Sequence, residues 1–242
     1  MSTLDRRYHA FFRYEDLGDI LRSRPPIRIT RLLFVFLIGN LLPLGLIGLW
    51  ADPQAGGGIL TVLAILHPII LLATISWVER HRGGLQSRPL QRLPVAHVLY
   101  LLIIVPVIMR LITVAIAAIQ APFGLVAEQS NNPLLMDLGL TGIQQWVVGL
   151  GVVVLIPVAE EVLYRDLLYR ALGGLGAWPS CILCSLLWAI MHGSIAFVLP
   201  LFFVGLLLSV LYESSGNLMA PIIAHVGFNL SSFILILLLP VI

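Results

Sequence analysis

Glu160, Glu161, Arg165, His192, His225 and Asn229 carry side chains suited to acid–base chemistry, and they stand in otherwise apolar surroundings. Glu160 and Glu161 are neighbours in PVAEEVLYRDLLYR. Consecutive helical residues point about 100° apart, so the two carboxylates do not face one cavity. Glu161 precedes Arg165 by four residues, the favourable order for an ion pair along a helix. Glu161 and Arg165 are therefore expected to support the site, which leaves Glu160 facing other polar groups. A buried glutamate held ionised by a neighbouring donor can take a proton from water, and the His192 imidazole can orient that water. His225 and Asn229, four residues apart, share one face of a helix. Both can donate hydrogen bonds to the oxyanion of a tetrahedral intermediate, each worth on the order of 3 kcal/mol. The expected catalytic set is Glu160, His192, His225 and Asn229, without a cofactor. Glu160, His192 and His225 could instead ligate a divalent metal, zinc first among them, and the residues leave both options open.

Other polar groups read as structural. His67, just before Pro68, is expected to be a hydrogen-bonded packing residue, and Asn40 a buried neutral one. Arg110 is expected to snorkel or to pair with a carboxylate. Cys181 and Cys184 have CxxC spacing but no second pair, and read as small apolar side chains. Several protease types are excluded: there is no HExxH, no GxSG on a span, and no intramembrane aspartate pair. Asp137 falls in a loop and Asp166 near a boundary.

The elements that must position these residues follow from composition. Of 242 residues 59% are hydrophobic and 11% charged, and the mean hydropathy is +1.01, outside the range of soluble domains. A helix needs roughly 20 apolar residues to cross a core about 30 Å thick. Seven segments qualify: 32–50, 58–78, 97–120, 143–170, 177–194, 196–212 and 218–240, within a range of six to eight. The expected fold is an all-α polytopic transmembrane bundle, with a cytoplasmic N-terminal extension over 1–30 and a single membrane domain over 31–242. The N-terminus is too polar for a secretory signal, so the first apolar segment is expected to remain as an anchor. All fourteen basic residues are arginine. They crowd into 1–31 and the loop near 80–92, whereas loops 51–57 and 121–142 hold acidic residues and no arginine, which predicts a cytoplasmic N-terminus. This placement also explains the net charge of +2 without nucleic acid as a partner.

The spans bring the candidate residues to one depth. Glu160 lies ten residues before Arg170, His192 fourteen after Trp178 and His225 eight after Asn217. At about 1.5 Å per residue these are depths of roughly 12–21 Å. A shared polar pocket is the economical explanation, since ionisable groups within spans mark functional sites.

At these residues the chain resembles the CAAX-protease and bacteriocin-processing (Abi) family of intramembrane proteases, which includes the type II CAAX endopeptidases. The family pattern EExxxR, aromatic-xxx-His and HxxxN reads here as Glu160 to Arg165, Trp188 to His192 and His225 to Asn229. Trp188 stands where the pattern usually has phenylalanine. The three motifs occur in order within 157–232, and the rest of the chain adds only hydrophobicity. The resemblance implies an endopeptidase in which Glu160 and His192 activate water and His225 and Asn229 stabilise the oxyanion, with Trp188 supporting the pocket. It also implies a protein or peptide substrate at the lipid bilayer and a bacterial inner-membrane location; members are often labelled metalloproteases. A non-catalytic membrane partner or immunity-type protein of the same fold is the alternative. A proton-coupled transporter is disfavoured, because no internal repeat or matching broken spans occur.

Overall fold

The computed structural model describes residues 29–42, 56–80, 92–125 and 142–238. The N-terminal extension, most of the arginine-bearing loop near 80–92 and the loop carrying Asp137 lie outside the described residues. Among those described, all regular structure is helical, in seven helices. These are α1 (Thr30–Leu41), α2 (Gly56–Arg80), α3 (Val95–Phe123), α4 (Ile143–Leu175), α5 (Ala177–Ile190), α6 (Ile195–Ser215) and α7 (Met219–Leu238). By length and composition α3, α4 and α6 are each able to cross a membrane. The chain is an integral membrane protein. Backbone polar groups in lipid must be satisfied within the segment, which is why every span is a helix.

The bundle is arranged around α4, the most buried of the three long apolar helices, which lies against α2, α5 and α7. By contrast α3, packed on α6 and α7, is the least buried, and Leu99, Ile103, Val107, Leu111 and Val114 stand exposed along it. Large exposed apolar side chains are the expected outer face of a helix whose solvent is lipid. Small residues permit close helix approach. A Cβ on Gly151 would run into the Ala64 backbone of α2, and one on Gly227 into the Leu102 backbone of α3.

Two local departures from regular winding matter for the site. In α4 the turn Gly151–Leu155 is wound as a π-helix, so the Ile156 N–H bonds the Gly151 carbonyl five residues back. The next residue, Pro157, has no N–H to offer Val152. The Val152 carbonyl therefore needs a partner from elsewhere. The second departure is at the end of α5. The expected span 177–194 is helical only to Ile190, because Gly193 takes a left-handed φ of +74° and turns the chain back into α6. His192 consequently lies in the α5–α6 turn and not within a helix. With 14 residues, or about 21 Å, α5 falls short of a full crossing of about 30 Å. Irregular backbone at such depth is tolerated where protein or a cavity surrounds it.

Candidate active site

Glu160 and Glu161 point to different surroundings, as adjacent helical residues must. Glu161 is fully buried, with Oε1 3.1 Å from Arg165 Nη1 and 2.8 Å from His225 Nδ1. Arg165, equally buried, donates from Nη2 to the Gly205 carbonyl of α6 at 3.0 Å, and its guanidinium lies 5.3 Å from the Trp188 ring centre. Glu161 thus ties α4 to α7 while Arg165 ties α4 to α6.

Glu160 keeps partial exposure, 21% of its side chain, at the wall of a cavity of about 210 Å³. Its Oε2 accepts the Trp188 indole N–H at 2.8 Å and stands 3.9 Å from His225 Nε2. Phenylalanine at position 188 would offer no such donor, so the departure from the family pattern supplies a bond to the carboxylate. Trp188 itself is buried, with its ring edge-on to His192 at 4.7 Å and to His225 at 5.4 Å.

The tautomers of both histidines follow from their partners. A carbonyl only accepts, so His192 Nδ1–H donates to the Trp188 carbonyl at 2.8 Å and the neutral ring carries its lone pair on Nε2. In the same way His225 Nδ1–H donates to Glu161, which aims Nε2 toward Glu160. His192 shares the Glu160 cavity, whereas His225 is 2% exposed and, like Asn229, is not on that cavity's wall. Asn229 Nδ2 donates to the Val152 carbonyl at 2.9 Å, the group that the π-turn and Pro157 leave without a helical partner. One of its N–H groups is therefore committed to joining α7 to α4.

Two residues set aside in the sequence share the Glu160 cavity. His67 on α2 bonds Asn40 on α1, Nε2 to Oδ1, at 3.0 Å, and both line the space that Glu160 and His192 line. The hydrogen-bonded packing expected of His67 is present, but so is a cavity position that a lone histidine before a proline does not announce. Of the two alternatives expected for Arg110, pairing with a carboxylate is not realised among the described residues. Arg110 bonds instead to Ser231, Ser232 and the Phe228 carbonyl of α7. Cys181 and Cys184 are free and buried in the core.

Among the described residues no three His, Cys, Asp or Glu side chains are grouped to hold one metal ion. Three protein ligands at about 2.0–2.2 Å are the usual zinc requirement, and the residues present do not meet it.

Residues 142–231 match the family model of Rce1-like type II CAAX prenyl endopeptidases. Over this segment the chain is similar to the CAAX-protease family. No curated protein and no solved structure matches the chain. The matched segment runs from the start of α4 into α7, and so contains Glu160, Glu161, Arg165, Trp188, His192, His225 and Asn229. Arg110, His67 and Asn40 fall outside it.

Proposed function

We propose that this protein is an intramembrane endopeptidase that hydrolyses a peptide bond with water activated by Glu160. The observation that carries the reading is the partly exposed Glu160 carboxylate on a cavity wall shared with His192, with Trp188 holding one oxygen. Glu160 takes a proton from water as the water oxygen attacks the scissile carbonyl, with His192 Nε2 orienting the water, and the proton then passes to the leaving amine. The oxyanion donors are His225, from Nε2 in its imidazolium form because Nδ1–H is taken by Glu161, and the second N–H of Asn229; neither lines the Glu160 cavity, so this role requires substrate to open that cavity toward α7. The substrate is a protein or peptide at the bilayer. Cleavage of membrane-embedded peptides by the purified chain, compared with a Glu160→Gln variant, tests the reading.

Trp188 is assigned a positioning role. Trp188→Phe keeps an aromatic ring but removes the donor, and a hydrogen bond to a charged group is worth about 1.5–3 kcal/mol. The expected result is a kcat lower by roughly tenfold or more with KM little changed. An unchanged kcat, or a change confined to KM, contradicts the role.

The reaction is proposed to need no metal. The reading is supported by Glu160 Oε2 being engaged by Trp188 and by the lack of a three-ligand group among the described residues. Elemental analysis of the active protein is expected to find no stoichiometric transition metal, and chelation to leave activity intact. Zinc at one equivalent, with activity lost on stripping and restored by re-addition, would falsify this and make Glu160, His192 and His225 ligands.

The protein is further proposed to lie in a bacterial inner membrane, as its family resemblance implies, and to have its N-terminus in the cytoplasm, on the arginine asymmetry of its short loops. A topology reporter fused after Gln86 should read cytoplasm and one after Asn132 the outer compartment. The reversed pair of results refutes the orientation.

A further inference from the structure

We propose that Arg110 binds the carboxylate of a peptide lodged in the cavity between α3, α6 and α7, and so helps to select what reaches the site. The inference rests on the peptidase reading for its consequence but not for its geometry. The cavity measures about 540 Å³, and its wall includes Arg110, Gln120, Ser232, Phe197, Leu235 and His192. That volume is within the usual range of ligand sites, about 300–1,000 Å³. His192 also lines the Glu160 cavity, so one imidazole borders both spaces.

The guanidinium is held in place but its charge is not matched. Every hydrogen bond it makes among the described residues leaves from Nη2, to Ser231 Oγ at 3.2 Å, to Ser232 Oγ and to the Phe228 carbonyl at 3.4 Å. All three acceptors are neutral. The face of Phe228, 4.4 Å away, adds only a quadrupole. Nε is buried without a partner, and Nη1 makes no hydrogen bond among the described residues. An unmatched cation within a membrane helix is costly and marks a functional position by default. With Nη2 engaged and Nε buried, Nη1 remains as a charged donor, and a charge-assisted bond from it suits a carboxylate or a phosphate oxygen.

Depth decides between those anions. Arg110 lies fifteen residues from Val95 and thirteen from Phe123, the ends of α3. At about 1.5 Å per residue it is roughly 20 Å from either end of the helix, beyond the reach of lipid phosphates at the surface. A peptide entering from the bilayer can bring a carboxylate to this level, either its C-terminus or an Asp or Glu side chain. Neutral serine hydroxyls hold the arginine through Nη2 without competing for charge, which leaves Nη1 available to an anion.

The test is binding to the full chain in zwitterionic nanodiscs, in a Glu160→Gln background so that the peptide is not consumed. Fluorescent apolar hexapeptides are compared as free acid and C-terminal amide, and separately with an internal Glu or Gln on an amidated peptide. A lost charge-assisted bond predicts about tenfold or greater preference for one acid over its neutral counterpart. Adding Arg110→Gln should bring that ratio near one. Arg110→Lys, which keeps the charge but cannot both bond the serines and offer a second donor group in the same geometry, should give an intermediate ratio and covers a glutamine variant that does not fold. Preference for the free acid assigns the site to a C-terminus, and preference for internal Glu to a side chain; either supports the proposal. Equal binding of acids and neutral peptides, a preference that survives removal of Arg110, or an Arg110-dependent response to phosphatidylglycerol alone overturns it. Failure of the wild-type chain to cleave, with the Arg110-dependent preference intact, refutes the peptidase reading and leaves the carboxylate site standing.

Discussion

Glu160→Gln is expected to lower the rate of peptide cleavage by roughly a hundredfold to ten-thousandfold, the usual contribution of a general base, without unfolding the protein. Glutamine keeps the size of the side chain and an oxygen that accepts the Trp188 N–H, so the contact between α4 and α5 survives. What it loses is the ability to take a proton from water. Cleavage rates and thermal unfolding, measured on the same detergent preparations, separate chemistry from folding. Glu161→Gln provides the contrast, because Glu161 joins Arg165 and His225 and is fully buried. It should lower stability along with activity. Full activity in Glu160→Gln, with activity lost in a well-folded Glu161→Gln, would exchange the two roles. Absence of cleavage by the wild type under all conditions would instead favour a non-catalytic membrane partner.

Arg165→Met is expected to destabilise the bundle by about 3–5 kcal/mol, the range for removing one partner of a buried ion pair. Neither Arg165 nor Glu161 has accessible side-chain surface, so no solvent is at hand to compensate the remaining carboxylate. The Gly205 carbonyl loses its donor in the same substitution. The double variant Glu161→Met with Arg165→Met should recover part of the loss, because it removes the unpaired charge as well. A double-mutant cycle on unfolding free energies reads the coupling directly. Arg165→Met within about 0.5 kcal/mol of wild type, the scale of an ordinary surface substitution, would mean that the pair contributes nothing to holding α4 against α6.

Helix number and approximate extent were legible in the sequence because lipid forces each crossing to satisfy its own backbone within one apolar run. The segments expected at 58–78, 97–120 and 196–212 reappear as α2, α3 and α6, each a few residues longer. The Glu161–Arg165 pair was legible for the same local reason, since a helix fixes the relation between residues four apart. The short α5 was not: a left-handed glycine at 193 ends it, and nothing in the hydropathy of 177–194 distinguishes a helix from a helix followed by a tight turn.

What the sequence determined by itself was therefore one-dimensional: which runs are long and apolar enough to be membrane helices, which side chains share a helical face, and where along its helix each ionisable group lies. How the helices are rotated and set against one another was decided by tertiary packing, through close approaches such as Gly151 on α2 and Gly227 on α3. Glu161 bonding His225 across 64 residues, Trp188 bonding Glu160 across 28, and Asn229 capping the Val152 carbonyl are consequences of that packing. So is the presence of His67 and Asn40 on the cavity wall of Glu160, and of Arg110 on a second cavity that His192 also borders. A helix encodes its own periodicity locally, but a hydrogen bond between helices depends on both axes and both rotations at once, and only the assembled bundle fixes those.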